Sequence, residues 1–168
     1  MSTTSRDAAF ADFVAAKQTQ LRRVAYALCG DWHRAEDLVQ TALAKLYVAW
    51  PRVHTAGAEE AYARTIIVRA NIDESRRPWR RERTGIETAE TSLDPDHSVE
   101  ERSSLVAALQ QLPPMQRRTV VLRHWLDLSV EETARELGIS TGTVKSHTSR
   151  ALSALHTLMS EPEQRSHR

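Results

Sequence analysis

Cysteine is almost missing from this chain of 168 residues: Cys29 is the only one. A single thiol excludes an intramolecular disulfide and any four-thiolate zinc site. Its place at the end of an apolar helical run fits a small buried side chain. Histidines 33, 54, 97, 124, 147, 156 and 167 are scattered and form no zinc spacing with it. A glycine-rich phosphate loop is also absent, so the expectation is no enzyme, no metal and no cofactor. No apolar run approaches the roughly 20 residues that span a bilayer, and MSTTSRDAAF lacks a secretory core, so a cytoplasmic chain without membrane insertion is expected. Long alternating β-branched runs are missing too, which leaves helices as the building material. Lysine occurs only at 17, 45 and 145 among 23 basic residues, and the net charge is just +1. Strong nucleic-acid binding therefore requires charge that is segregated along the chain.

Between Ser129 and Met159 the sequence spells a helix, a tight turn and a second helix. Ser129 can cap the first helix, and Glu132 can close a capping box three residues on. Val130, Ala134 and Leu137 share one side, and Gly138 supplies the left-handed turn position. Ile139 plugs the space between the helices, and Ser140 can cap the second one. On that second helix Val144, Thr148, Ala151, Leu152, Leu155 and Met159 form a core stripe. The opposite side presents Gly142, Thr143, Ser146, Ser149, Arg150 and Ser153, flanked by Lys145 and His147. Short hydroxyls allow close approach to a duplex, Arg150 can reach a guanine edge or a phosphate, and Lys145 is better placed for the backbone. Thr141 opens this helix. Ahead of it, Val99, Leu105, Val106, Leu109 and Leu112 form another stripe. Pro113 and Pro114 then start a supporting helix whose Arg117, Arg118, Arg123 and His124 make a basic edge suited to phosphates.

The N-terminal half reads as three helices. Phe10, Phe13, Val14, Leu21, Val24 and Leu28 mark the first, which ends at Gly30. Asp31 can cap the second, whose stripe of Leu38, Val39, Ala42, Leu43, Leu46, Tyr47 and Trp50 runs up to Pro51. Proline is expected to close that helix and to leave 51–59 as a loop that either holds an extended base or joins two helices. The outer face with Arg34, Asp37, Gln40, Thr41 and Lys45 is either solvent surface or a partner-docking face. A third helix starts at Glu59 and carries Tyr62, Ile66, Ile67, Val68 and Ile72 beside Asn71 and Asp73. Arg64, Arg69, Arg76, Arg77, Arg80, Arg81 and Arg83 gather around Trp79, which either stacks on exposed bases or anchors into the core. The sign then reverses. From Thr84 to Glu101 there are six carboxylates and no lysine or arginine, the composition of an extended acidic linker.

The predicted fold is all-α, with two small helical domains joined by an acidic flexible linker and a C-terminal helix-turn-helix of winged-helix-like DNA-binding class. The expected boundaries are 6–83, 84–97 and 98–160. In this order the features resemble the extracytoplasmic-function group of RNA polymerase sigma factors, the small two-domain actinobacterial type. AEDLVQTALAKLY resembles that family's region 2.2, YARTIIVRANIDESRR its regions 2.3 and 2.4, and LPPMQRRTVVLRHWLDLSVEETARELGISTGTVKSHTSRALSALH its region 4. The resemblance implies a promoter-specificity subunit that partners the β and β′ subunits of core polymerase and promoter DNA, with an anti-sigma factor as a candidate partner. It implies polymerase docking through Asp37, Gln40, Thr41 and Lys45. Residues implied at a melted minus-ten element are Arg52, His54, Arg64, Arg69, Asn71, Arg76, Arg77 and Trp79. Those implied at a minus-thirty-five duplex are Arg118, Arg123, Thr141, Thr143, Lys145, Ser146, His147 and Arg150. The family pattern has an acidic residue where Thr41 stands and a bulky apolar one near Ala42. The competing reading is a stand-alone helix-turn-helix regulator that binds an operator, usually as a symmetric dimer.

Overall fold

The computed structural model describes residues 2–75 and 99–160. The chain divides into two compact units, Met1–Thr91 and Ser92–Arg168. The expected linker 84–97 lies outside the described residues, as do Arg76, Arg77 and Trp79 of the expected minus-ten set.

Three helices make the first unit. α1 (Thr3–Cys29) ends at Gly30, whose φ of 73° places it in the left-handed region that glycine enters without a Cβ penalty. α2 (Trp32–Thr55) begins on Asp31, whose carboxylate accepts the backbone N–H groups of His33 at 2.8 Å and Arg34 at 3.1 Å. α3 (Glu59–Ser75) carries Glu59 and Glu60 in its first turn, where acidic groups suit the helix dipole. The contacts alone show that α1 and α2 run antiparallel: Asp7 meets Tyr47, Phe10 meets Trp50, Arg22 meets Glu36 and Tyr26 meets Trp32. α3 returns along α2, with Arg34 paired to Glu74 at 3.2 Å and His54 to Glu59 at 2.5 Å. The apolar stripes converge on Leu28, Leu38, Leu46, Trp50, Ile67 and Val68, all fully buried. The Cys29 thiol donates to the Asp31 carbonyl at 3.3 Å, and burial pushes it up to about 11, so it stays a protonated packing group.

Pro51 does not end α2, which continues to Thr55. A proline removes the N–H that would bond the carbonyl four residues back, here Tyr47. Arg6 of α1 replaces that donor: its guanidinium hydrogen-bonds the Tyr47 carbonyl and sits 4.3 Å from the centroid of the Tyr47 ring. Trp50 and Val53 on either side of the proline are buried, so packing favours continuation as well. The expected loop 51–59 therefore shrinks to a turn at 56–58, with Gly57 at φ 66°. Arg6→Ala is expected to lower the stability of this unit by about 1–2 kcal/mol, because a partly buried carbonyl loses a charged donor. A urea titration followed by circular dichroism checks it, and an unchanged midpoint would discount the replacement.

The second unit is also built of helices, joined by short turns. α4 (Val99–Gln111) is followed by α5 (Pro114–Val120), which starts with proline at its first position and runs on into a π-helical turn over Val121–Trp125. That turn closes with the Leu126 N–H on the Val121 carbonyl at 3.1 Å, and Asp127 takes φ 53°. Next come α6 (Val130–Leu137) and α7 (Thr141–Ser160). Ser129 caps α6 by accepting the Glu132 N–H at 3.0 Å, Gly138 turns at φ 66°, and Ser140 accepts the Thr143 N–H at 3.1 Å. Val144 and Ala151 of α7 are fully buried. Leu152 and Met159, expected in the core stripe, are instead 42% and 41% exposed. They lie about 80° and 60° around the helix from Val144, at the margin of the face that packs into the unit. Among the described residues no strand is present, and no helix is long and apolar enough to cross a membrane.

Candidate nucleic-acid interface

In the first unit a cleft of about 640 Å³ lies between α2 and α3. Its α3 wall is a helical stripe at three- and four-residue steps, including Tyr62, Ile66, Arg69 and Asp73, with Ala58 of the turn just ahead of it; its α2 wall includes Lys45, Arg52 and Val53. Three cations thus border an apolar floor, with an aromatic ring among them. The Arg52 guanidinium lies 5.9 Å from the Tyr62 ring centroid, so Tyr62 is already engaged with a cation. A cleft of this chemistry can hold a planar base against apolar and aromatic surface while cations meet the attached phosphates.

Of the expected minus-ten residues, Arg52 and Arg69 line this cleft, and Lys45, expected at the polymerase face, joins them. His54 does not line it. Its ring stacks on Trp50 at 4.8 Å and 12°, and its Nδ1 stands 2.5 Å from the Glu59 carboxylate, so it ties α2 to α3 behind the turn. A hydrogen bond from its own backbone N–H, followed by the one with His54, holds the Glu59 carboxyl below its usual range against the effect of desolvation. Asn71 is only 5% exposed and faces the core rather than a strand, because it continues the buried series of Ala63, Ile67 and Val68 at helical spacing. Arg64 is half-buried.

The outer face of α2 leaves Asp37, Gln40, Thr41, Ala44 and Lys45 exposed, and Val48, next along that face, is 78% exposed. Sequence reasoning passed over Val48. The available signal was its position: it is an apolar residue that falls off the Leu38–Trp50 core stripe and one helical turn beyond Lys45.

In the second unit α7 presents Thr141, Lys145, Ser146 and Arg150, all exposed, with Gly142 and Ser149 between them. Thr143 is half-buried, and its hydroxyl is 2.8 Å from that of Ser140, so it completes the cap. His147 is half-buried, with Nδ1 turned inward. Of the expected basic edge of the supporting helix, His124 is exposed, whereas the three arginines are taken up by the unit itself. Arg118 is 7% exposed, in a run with Thr119 and Val120 where α5 is buried on most of its circumference. Arg117 donates to the carbonyls of Leu109, Gln110 and Leu112, at the end of α4 and just beyond it. Arg123 donates to the Leu128 carbonyl and fixes the segment that enters α6. Arg118 is therefore withdrawn from phosphate contact, and Arg123 is committed to the turn.

Residues 13–81 match the family Sigma-70 region 2, and residues 102–155 match Sigma-70, region 4. An RNA polymerase sigma-E factor of Streptomyces avermitilis is 39% identical over 153 residues, covering 87% of this chain and 82% of its own. An ECF RNA polymerase sigma factor, SigM of Mycobacterium tuberculosis, is 30% identical over 140 residues, with 83% and 71% covered. Among solved structures, the sigma factor RpoE from Bartonella quintana, in complex with the anti-sigma factor NepR, superposes with a TM-score of 0.72. It is 25% identical, and the match covers 91% of this chain and 98% of that one.

Proposed function

Because this chain belongs to the extracytoplasmic-function group of the sigma-70 family, we propose that its two units read the two halves of one promoter, the first as melted strand and the second as duplex. As a member of that group it is a promoter-specificity subunit of bacterial RNA polymerase, and it carries no catalysis of its own. The observation that supports the division of labour is the pairing, in one chain, of the cation-bordered cleft of α2 and α3 with the exposed polar face of α7.

The cleft would receive an unstacked base of the minus-ten element, with Tyr62 and the alanine-lined floor against its plane and Lys45, Arg52 and Arg69 near the backbone. Capture of exposed bases adds their binding energy against the cost of unpairing. α7 would enter the major groove of the minus-thirty-five element through Thr141, Lys145, Ser146 and Arg150. The outer face of α2, from Asp37 to Val48, would dock on core polymerase. Core would then hold the two units at a fixed spacing, so that neither need bind DNA tightly alone. An anti-sigma factor, of the kind seen bound to the Bartonella sigma factor, would act by covering these faces.

Run-off transcription with purified core polymerase, promoter duplex and this chain tests the reading. Arg150→Ala is expected to lower transcription from a promoter with an intact minus-thirty-five element roughly tenfold, as a lost side chain at a base edge or phosphate does. On a template whose minus-thirty-five element is scrambled the same change should have little effect. Failure of the wild-type chain to bind core at both low and physiological salt would sink the assignment of docking and reading. Tight operator binding by a dimer without core would favour the stand-alone regulator.

A further inference from the structure

The described glycines divide into two kinds. Gly30, Gly57 and Gly138 have φ of 73°, 66° and 66°, so the backbone itself asks for glycine. Gly142 is different. It lies in the first turn of α7 and has no positive φ. A Cβ built there would meet only the Ser140 hydroxyl, at 4.0 Å, which is ordinary van der Waals contact. Alanine is the better helix former, because glycine loses more backbone entropy on folding. Nothing inside the unit therefore requires a missing side chain at this position, and the fold would be no worse with one.

What Gly142 does face is solvent, on the same exposed surface as Thr141, Lys145 and Ser146. In a helix-turn-helix the N-terminal residues of the second helix come nearest the base edges. A residue without a Cβ lets the helix backbone approach by the thickness of a methyl group. Its neighbours on this surface, Thr141, Ser146 and Ser149, are short as well. We infer that Gly142 is a specificity-determining residue of the minus-thirty-five reader, kept bare because the duplex packs directly against the α7 backbone there. This rests on the reading of α7 as the duplex-binding helix. Any side chain at 142 would hold α7 away from the groove floor and lengthen the contacts of Ser146 and Arg150, which depend on that depth.

The test compares Gly142→Ala, Gly142→Ser and Gly142→Val in the full chain with core polymerase, reading thermal unfolding and run-off transcription side by side. The expected result has opposite signs. Alanine should leave the unfolding midpoint unchanged or raise it by roughly 1–5 °C. Transcription from a duplex with an intact minus-thirty-five element should fall by about tenfold or more, further for valine than for alanine. With that element scrambled, the variants should match the wild type. A lower midpoint for alanine would make glycine a requirement of the fold and overturn the inference. So would full minus-thirty-five-dependent transcription by the alanine and valine variants. If the wild type itself ignores the minus-thirty-five element, the reading of α7 fails instead, which the scrambled template shows independently of position 142.

Discussion

Trp50→Ala is expected to destabilise the first unit by about 3–5 kcal/mol, the cost of removing a large aromatic from a packed interior. A unit of this size has a total stability on the order of 5–15 kcal/mol, so this one substitution removes a large part of it and should lower the unfolding midpoint markedly. Trp50 is 1% exposed, meets Phe10 at 5.4 Å and Phe13 at 5.7 Å in edge-to-face contacts, and supports the His54 ring on its face. One residue thus joins α1, α2 and, through the His54–Glu59 bond, the start of α3. Its loss should release the α2 wall of the cleft, so strand opening should fail even where core polymerase rescues folding. Trp50→Phe should cost much less. The indole N–H has no acceptor among the described residues, so phenylalanine forfeits volume but no hydrogen bond. Chemical denaturation of the three proteins measures this order. Equal midpoints for wild type and Trp50→Ala would mean that the core is not organised around this ring.

The second large effect concerns Val48. Replacing it with aspartate should leave the fold intact, since the side chain is 78% exposed. Binding to core polymerase should nevertheless weaken by roughly 30- to 150-fold, about 2–3 kcal/mol, because an unpaired carboxylate would be buried where the exposed apolar side chain of the docking face now stands. Val48 lies within about 60° of Asp37, Thr41, Ala44 and Lys45 around the helix, so it continues that face by one turn. Titration of labelled core with the variant gives the affinity, and circular dichroism confirms that the unit is folded. Undiminished binding would move the docking surface off the outer face of α2. Val48→Ala should show a smaller loss in the same direction, which separates lost apolar contact from added charge.

Periodicity predicts α1, α2, α3 and the two helices of the helix-turn-helix from the sequence, because each carries a one-sided apolar stripe, most of them with a cap or glycine at an end. Ser129, Gly138 and Ser140 act as their residue types suggest, since caps and left-handed turns are local properties of the chain. The misreadings share one cause, which is that packing and partners outside the local pattern decide the outcome. Pro51 reads as a stop, yet a donor 45 positions earlier, Arg6, keeps the helix going. Asn71 and His54 are expected at nucleic acid through the resemblance of their segments, and Arg118 through its charge as well. Packing turns Asn71 and Arg118 inward and gives His54 to Trp50 and Glu59. Conversely, Lys45 and Arg69, 24 positions apart in the chain, come to line one cleft only when α3 folds back along α2.

By itself the sequence determined the helical class, the reversal of charge between the arginine-rich run and the acidic stretch after it, and the polar face of α7. These are written in local spacing and composition, to which helix formation and charge respond directly. The tertiary structure alone decided which polar residues are free to meet a ligand. A side chain's availability depends on what packs over it and which orphaned carbonyl it must satisfy. It also decided that a Cβ at Gly142 would meet nothing closer than the Ser140 hydroxyl at 4.0 Å, since the room around a residue depends on what the rest of the unit packs beside it.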